Sequence, residues 1–102
     1  MTKASRAVIW SPEAAQDLLD IWRHLAMVAS TTIADNHLRD IDRAVSMLID
    51  WSLAGRARDE LVLGLRSVPV HPSIILYRVR ENSPQIVRVI DSRRDINEIL
   101  AD

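Results

Sequence analysis

Residues 65–91, LRSVPVHPSIILYRVRENSPQIVRVID, decide the fold. Apolar and polar side chains alternate here with a period of two, the period of a half-buried strand. Three strands are predicted, over 65–70, 74–80 and 85–91. His71-Pro72-Ser73 and Glu81-Asn82-Ser83-Pro84 separate them, and both connectors carry turn chemistry. Connections this short force antiparallel pairing. Pro69 has no N–H to give a ladder, so it belongs at an edge or bulge. Alternation also sorts the faces. Ile75, Tyr77, Val79, Val87 and Val89 fall on one, apolar apart from a tyrosine hydroxyl. Ile74, Leu76, Arg78, Arg80, Ile86, Arg88 and Ile90 fall on the other, an aliphatic surface threaded with arginine. Either a closing helix covers that second face, with the arginine heads reaching water, or it is a binding face for an acidic partner.

Upstream the period is 3.6. Ser11-Pro12-Glu13 supplies an N-cap, a proline suited to the first helical position and an acid that complements the helix dipole. Ala14, Ala15, Leu18, Ile21, Trp22, Leu25 and Val28 then mark one helix, running to about Ala29. Glu13, Asp17, Asp20 and His24 form a polar stripe beside it. Ser30-Thr31-Thr32 interrupts the pattern, and Thr32 with Asp35 resembles a capping box. Ala34, Leu38, Ile41, Val45, Leu48 and Ile49 mark a second helix, to about Trp51, which forms an antiparallel hairpin with the first. Residues 6–10, RAVIW, read as a strand, residues 52–64 as a loop with little regular structure, and residues 94–101 as a short closing helix. The expected fold is α+β: an N-terminal strand, a two-helix hairpin and a three-stranded antiparallel meander in the order β-α-α-β-β-β.

With 102 residues, 48% hydrophobic and 26% charged, the chain has room for one globular domain. It has no cysteine, which excludes disulfides and thiol chemistry. Its three histidines have no close spacing, and no metal or other cofactor is expected. No apolar run approaches the roughly 18 residues of a membrane span, and the first residues lack the order of a signal peptide. A cytoplasmic location without membrane contact is expected. Net charge is −1, which argues against bulk nucleic-acid binding. The distribution is uneven, however. Residues 56–94 hold eight arginines against four acids, and the only lysine is Lys3. Arginine suits bidentate contact with carboxylates and phosphates. Catalytic constellations are poor. His71 reads as a solvated turn histidine that could at most act as a general base, Tyr77 as core, and Trp10, Trp22 and Trp51 as core or groove residues.

Four segments together carry a family resemblance. Trp10-Ser11-Pro12-Glu13-Ala14 leads into Asp17-Leu18 and Asp20-Ile21-Trp22. Gly55-Arg56 and Arg58-Asp59-Glu60-Leu61 precede Gly64-Leu65-Arg66-Ser67. Tyr77-Arg78-Val79 follows a short turn, and Arg88-Val89-Ile90 runs into Arg93-Arg94-Asp95-Ile96. In this order, over nearly the whole chain, they resemble the ParE branch of the RelE/ParE toxins of bacterial type II toxin–antitoxin systems.

The resemblance implies a toxin neutralised by a cognate antitoxin and acting on DNA gyrase by protein contact, with DNA met only through antitoxin or gyrase. Its antitoxin would bind the second sheet face, at Ile74, Leu76, Arg78, Ile86, Arg88 and Ile90. Arg93 and Arg94, just past the last strand, would contact the target. The RelE branch implies a different activity, ribosome-dependent mRNA cleavage, in which Arg66, Arg78 and Arg88 would clamp a phosphate and His71 move a proton. The sheet has no lysine and no tyrosine follows Tyr77, which favours the ParE reading. A member that only binds its antitoxin is the third possibility.

Overall fold

The computed structural model describes residues 8–100. Its elements are β1 (Ile9–Trp10), α1 (Pro12–Val28), α2 (Thr31–Asp50), β2 (Arg56–Ala57), β3 (Arg66–Val70), β4 (Ser73–Arg80), β5 (Ser83–Asp91) and α3 (Ile96–Leu100). The α+β order is the expected one. Residues 6 and 7 of the expected first strand, and residue 101 of the expected closing helix, lie outside the described residues. The sheet runs β1-β5-β4-β3-β2. β1 is parallel to β5 and the other pairs are antiparallel, so the sheet is mixed. The expected loop at 52–64 contains β2, which pairs only with Arg66 and Ser67. The outer edge of Pro69 therefore has no ladder partner, as its missing N–H requires.

The β4–β5 turn is tighter than the sequence suggests. Glu81 and Asn82 take φ of 53° and 63°, a two-residue hairpin that places Ser83 and Pro84 inside β5. Farther along β5 the register slips. Leu76 faces Arg88 and Tyr77 faces Ile86, so Val87 is an extra, bulged residue. Because side chains alternate with a period of two, one inserted residue resets the faces beyond it. Ile86 consequently joins Ile75, Tyr77 and Val89 on the helix side, while Val87 joins Leu76 and Ile90 on the other. Simple alternation assigns 86 and 87 the wrong way round.

On the helix side, Ala14, Ile41, Val45 and Leu48 pack with those sheet residues, flanked by Trp10, Leu18, Ile21 and Leu38. On the opposite side, Leu65, Leu76, Ile90 and Ile99 form a second cluster with Leu61, Ile74, Val87, Ile96 and Leu100. The second face is thus not left open: α3 and the segment around Leu61–Leu65 cover its aliphatic part. Ser30, rather than Thr32, caps α2, accepting from the Ile33 N–H at 3.1 Å from an extended backbone.

Ser11 does two jobs. Its Oγ accepts from the Ala14 N–H at 2.9 Å, capping α1, and donates to the Val87 carbonyl at 2.7 Å. Its own N–H reaches the Ile86 carbonyl at 3.0 Å. Two turns on, Asp17 Oδ2 accepts from the Val89 N–H at 2.9 Å. Arg88 completes the clamp, donating through Nε and Nη2 to Asp17 at 2.8 and 2.9 Å. At the other end of the helix layer, the buried Tyr77 hydroxyl donates to the Ser52 carbonyl and accepts from the Gly55 N–H, both at 2.8 Å. A Cβ on Gly55 would stand 2.5 Å from the Tyr77 ring.

Three stability outcomes follow from this packing. Gly55→Ala forces the ring or the loop to move and should cost about 1–3 kcal/mol, the range for overpacking. Asp17→Ala removes the acceptor for both Arg88 and the Val89 N–H and should cost about 1.5–3 kcal/mol. Ile41→Ala, at a side chain 1% exposed, should cost about 2–5 kcal/mol. Urea melts of the three variants measure each value, and unchanged midpoints would contradict the packing described.

Candidate functional site

Of the six residues expected to contact a partner from the second sheet face, three have no surface to offer. Leu76, Ile86 and Ile90 are 0%, 1% and 3% exposed, Ile86 against the helices and the other two beneath α3. Ile74 is half-buried. Arg88 is spent on Asp17, whose hydrogen bonds push the guanidinium still further above its usual range. Arg78 alone of the six is exposed, donating from Nε to Gln85 Oε1 across the β4–β5 pair at 3.1 Å. Ile74, Leu76 and Ile90 do lie on this face, Val87 stands there in place of Ile86, and the cover comes from within the chain.

Two more arginines are committed internally. Arg66 Nη1 donates to the Leu53 and Gly55 carbonyls at 3.1 and 2.7 Å, holding the loop after α2 against β3. Arg58 sits in a turn closed by its own N–H on the Leu65 carbonyl at 2.7 Å. Its Nε is buried without a partner, and its Nη1 lies 3.8 Å from Glu60. His71 is exposed in the β3–β4 turn, whose His71–Pro72 bond is cis. Arg66, Arg78 and Arg88 therefore do not converge as three free cations around it.

Arg93 and Arg94 lie where the chain leaves β5, on the rim of a cleft between α1 and the ends of the strands. Asp17, Asp20, His24, Pro72 and Ser73 also line it. Arg93 wraps Asp91: its N–H and Nε reach Oδ1 at 2.8 and 3.0 Å, and Nη2 reaches Oδ2 at 2.8 Å. These bonds hold the Asp91 carboxyl well below the ordinary carboxylate range. The guanidinium of Arg94 is exposed and makes no side-chain bond among the described residues.

A surface that pattern reading missed lies on the outer side of α1. Trp10, Ala15, Leu18, Leu19, Trp22 and Leu38 line an apolar groove. Trp22 is fixed at its wall by an Nε1–H bond to Asp35 Oδ1 at 2.8 Å, and Leu19 is 52% exposed. The signal was a second helical row, Ala15, Leu19 and Trp22 at i, i+4 and i+7, beside the core stripe. Trp10 and Trp22 are groove residues as expected, whereas Trp51 is 69% exposed at the end of α2. Among the described residues there is no metal-binding cluster, and no helix is long and apolar enough to cross a membrane.

Comparison with known proteins agrees with this architecture. The family described as ParE toxin of type II toxin-antitoxin system, parDE, matches residues 8–96. Proteins named Toxin ParE1 from two strains of Mycobacterium tuberculosis, CDC 1551 / Oshkosh and ATCC 25618 / H37Rv, are each 29% identical over 97 residues. The match spans 94% of this chain and 99% of theirs. A solved structure, the chromosomal ParDE TA system from P. aeruginosa, matches with a TM-score of 0.73 at 26% identity. It covers 84% of this chain and 95% of that one. The chain belongs to the ParE toxin family of type II toxin–antitoxin systems.

Proposed function

We propose that this toxin is neutralised by a cognate antitoxin in the cytoplasm and, once released, inhibits DNA gyrase by protein contact without chemistry of its own. One observation carries the non-catalytic reading. Arg66 and Arg88, two cations that a phosphate clamp on the sheet would need, are committed to internal acceptors. Leaving those acceptors would cost the charge-assisted bonds that hold the loop and α1 in place.

Arg94 is the leading target contact. Its guanidinium has no partner among the described residues, and arginine pairs well with an acidic protein surface or with DNA phosphates held by the target. Arg93 stands beside it, with its charge shared with Asp91. For the antitoxin, Arg78 and its neighbour Arg80 are the reachable part of the arginine face, with Ile74 beside the α3 cover. The α1 groove adds the apolar area that drives association, with Leu19 and Trp22 as anchors.

Expression without antitoxin should trigger a DNA-damage response and gyrase-dependent DNA cleavage. Arg94→Ala should abolish toxicity while leaving the melting midpoint and antitoxin binding intact. Rapid ribosome-dependent mRNA cleavage with gyrase unaffected would overturn the gyrase reading in favour of a ribonuclease. Leu19→Asp should weaken antitoxin binding about tenfold or more, as for loss of an interface anchor. Calorimetric titration measures this, and unchanged affinity would move the interface away from the groove.

A further inference from the structure

The chain's three histidines are remote in sequence yet meet around one turn. His71 is in the β3–β4 turn itself. His37, on α2, is 6% exposed and bonds Ser73 Oγ through Nε2 at 2.8 Å. His24, on α1, lines the cleft that Pro72 and Ser73 wall from the other side. Ser73 is the hub: it is 3% exposed and pairs with Asp91 across β4 and β5. We propose that the His37–Ser73 contact is an acid-sensitive latch that holds the 71–73 turn to α2. Protonation loosens it through the cost of an imidazolium at so buried a site, not through loss of the bond itself, since Ser73 Oγ can also accept.

The surroundings of His37 disfavour an imidazolium there. Burial acts most strongly and lowers its pKa, Asp40 on the same helix opposes this, and His71 in the turn lowers it further. Asp40 is a weak counter-ion, more than half exposed and 3.5 Å from Arg43. From β5 comes Asp91, already bonded to Arg93 through both carboxylate oxygens. Across the Pro72–Ser73 wall, α1 brings Asp20 and His24, and Arg94 adds a positive charge at the rim. Of these carboxylates, Asp20 and Asp40 are exposed and Asp91 is already bonded, so each is a poor partner for a proton on His37.

The sign follows from linkage. The folded pKa lies below the unfolded value of about 6.5, so the unfolded or opened chain binds the proton first. The latch is closed above that value. It weakens as the pH falls through it, and the loss is complete once the folded pKa is passed. Since Pro72 and Ser73 also wall the cleft beside Arg94, the latch sets the shape of that cleft.

Amide hydrogen exchange on the full chain, corrected for intrinsic rates, tests this between about pH 7.5 and 5.5, the range in which imidazoles titrate. Wild-type amides over 70–74 should lose protection on acidification, by up to about tenfold, the ceiling that linkage sets for one imidazole with an opened-state pKa of about 6.5. His37→Gln, whose amide can still bond Ser73 but does not titrate, should abolish that change. Unchanged wild-type protection, or an unaltered pH response in His37→Gln, would overturn the latch. Should His37→Gln fail to fold, NMR titration of the wild-type ring decides. A midpoint below about 6.5, followed by the 70–74 amide shifts, supports the latch, and a midpoint at or above it overturns the proposal.

Discussion

The start of α1 is bonded to β5 on both sides of the Val87 bulge, and much of the remaining structure depends on that attachment. A bulge frees a carbonyl from the ladder, and β1 is too short to cover the rest of the β5 edge. A buried strand edge with unpaired polar groups is expensive. Ser11 and Asp17 solve this within two turns of one helix by bonding the Val87 carbonyl and the Val89 N–H. Seating α1 there brings Ala14 into the core beside Ile86 and Val89 and leaves Leu19 and Trp22 on the outer side. It also draws Arg88 into a structural ion pair.

This division of labour runs through the arginines. Arg66 and Arg88 stitch loop to strand and strand to helix, Arg93 is folded onto Asp91, and Arg56, Arg78, Arg80 and Arg94 remain at the surface. The excess of arginine over acids in residues 56–94 therefore does not amount to one basic face. Two of these arginines, Arg66 and Arg88, tie loop and helix to a sheet that carries an apolar cluster on each side. The exposed arginines of that stretch are spread over β2, β4 and the exit from β5, and none of them lines the apolar groove on α1.

The sequence showed the fold more readily than the site, for physical reasons. Helix periodicity, the Ser11-Pro12 start and short polar connectors are local signals, and they located both long helices and the three-stranded meander to within a residue or two. β2 escaped because two residues carry no period and are strands only by virtue of their partner. The bulge escaped for a related reason: nothing in QIVRVID marks Val87 as the inserted residue, yet that insertion reverses Ile86 and Val87. The misread face followed from it, together with the weight given to arginine. Whether an arginine is free or bonded depends on a partner as remote as Asp17, 71 residues away. The groove was within reach of pattern reading, since Leu19 and Trp22 extend the apolar arc of α1 beyond what one core stripe needs.

Pro69 has a consequence of another kind. A sheet with two exposed edges invites other strands to add, and an unsatisfied edge is a template for aggregation. Here one outer strand is two residues long, and the stretch of β3 that it leaves uncovered contains the residue that cannot donate a backbone hydrogen bond. At the opposite border β1 is equally brief, and α1 takes over the hydrogen bonding immediately beyond it. Both borders of the sheet are thus poor templates for the addition of a further strand, from another copy or from any other chain.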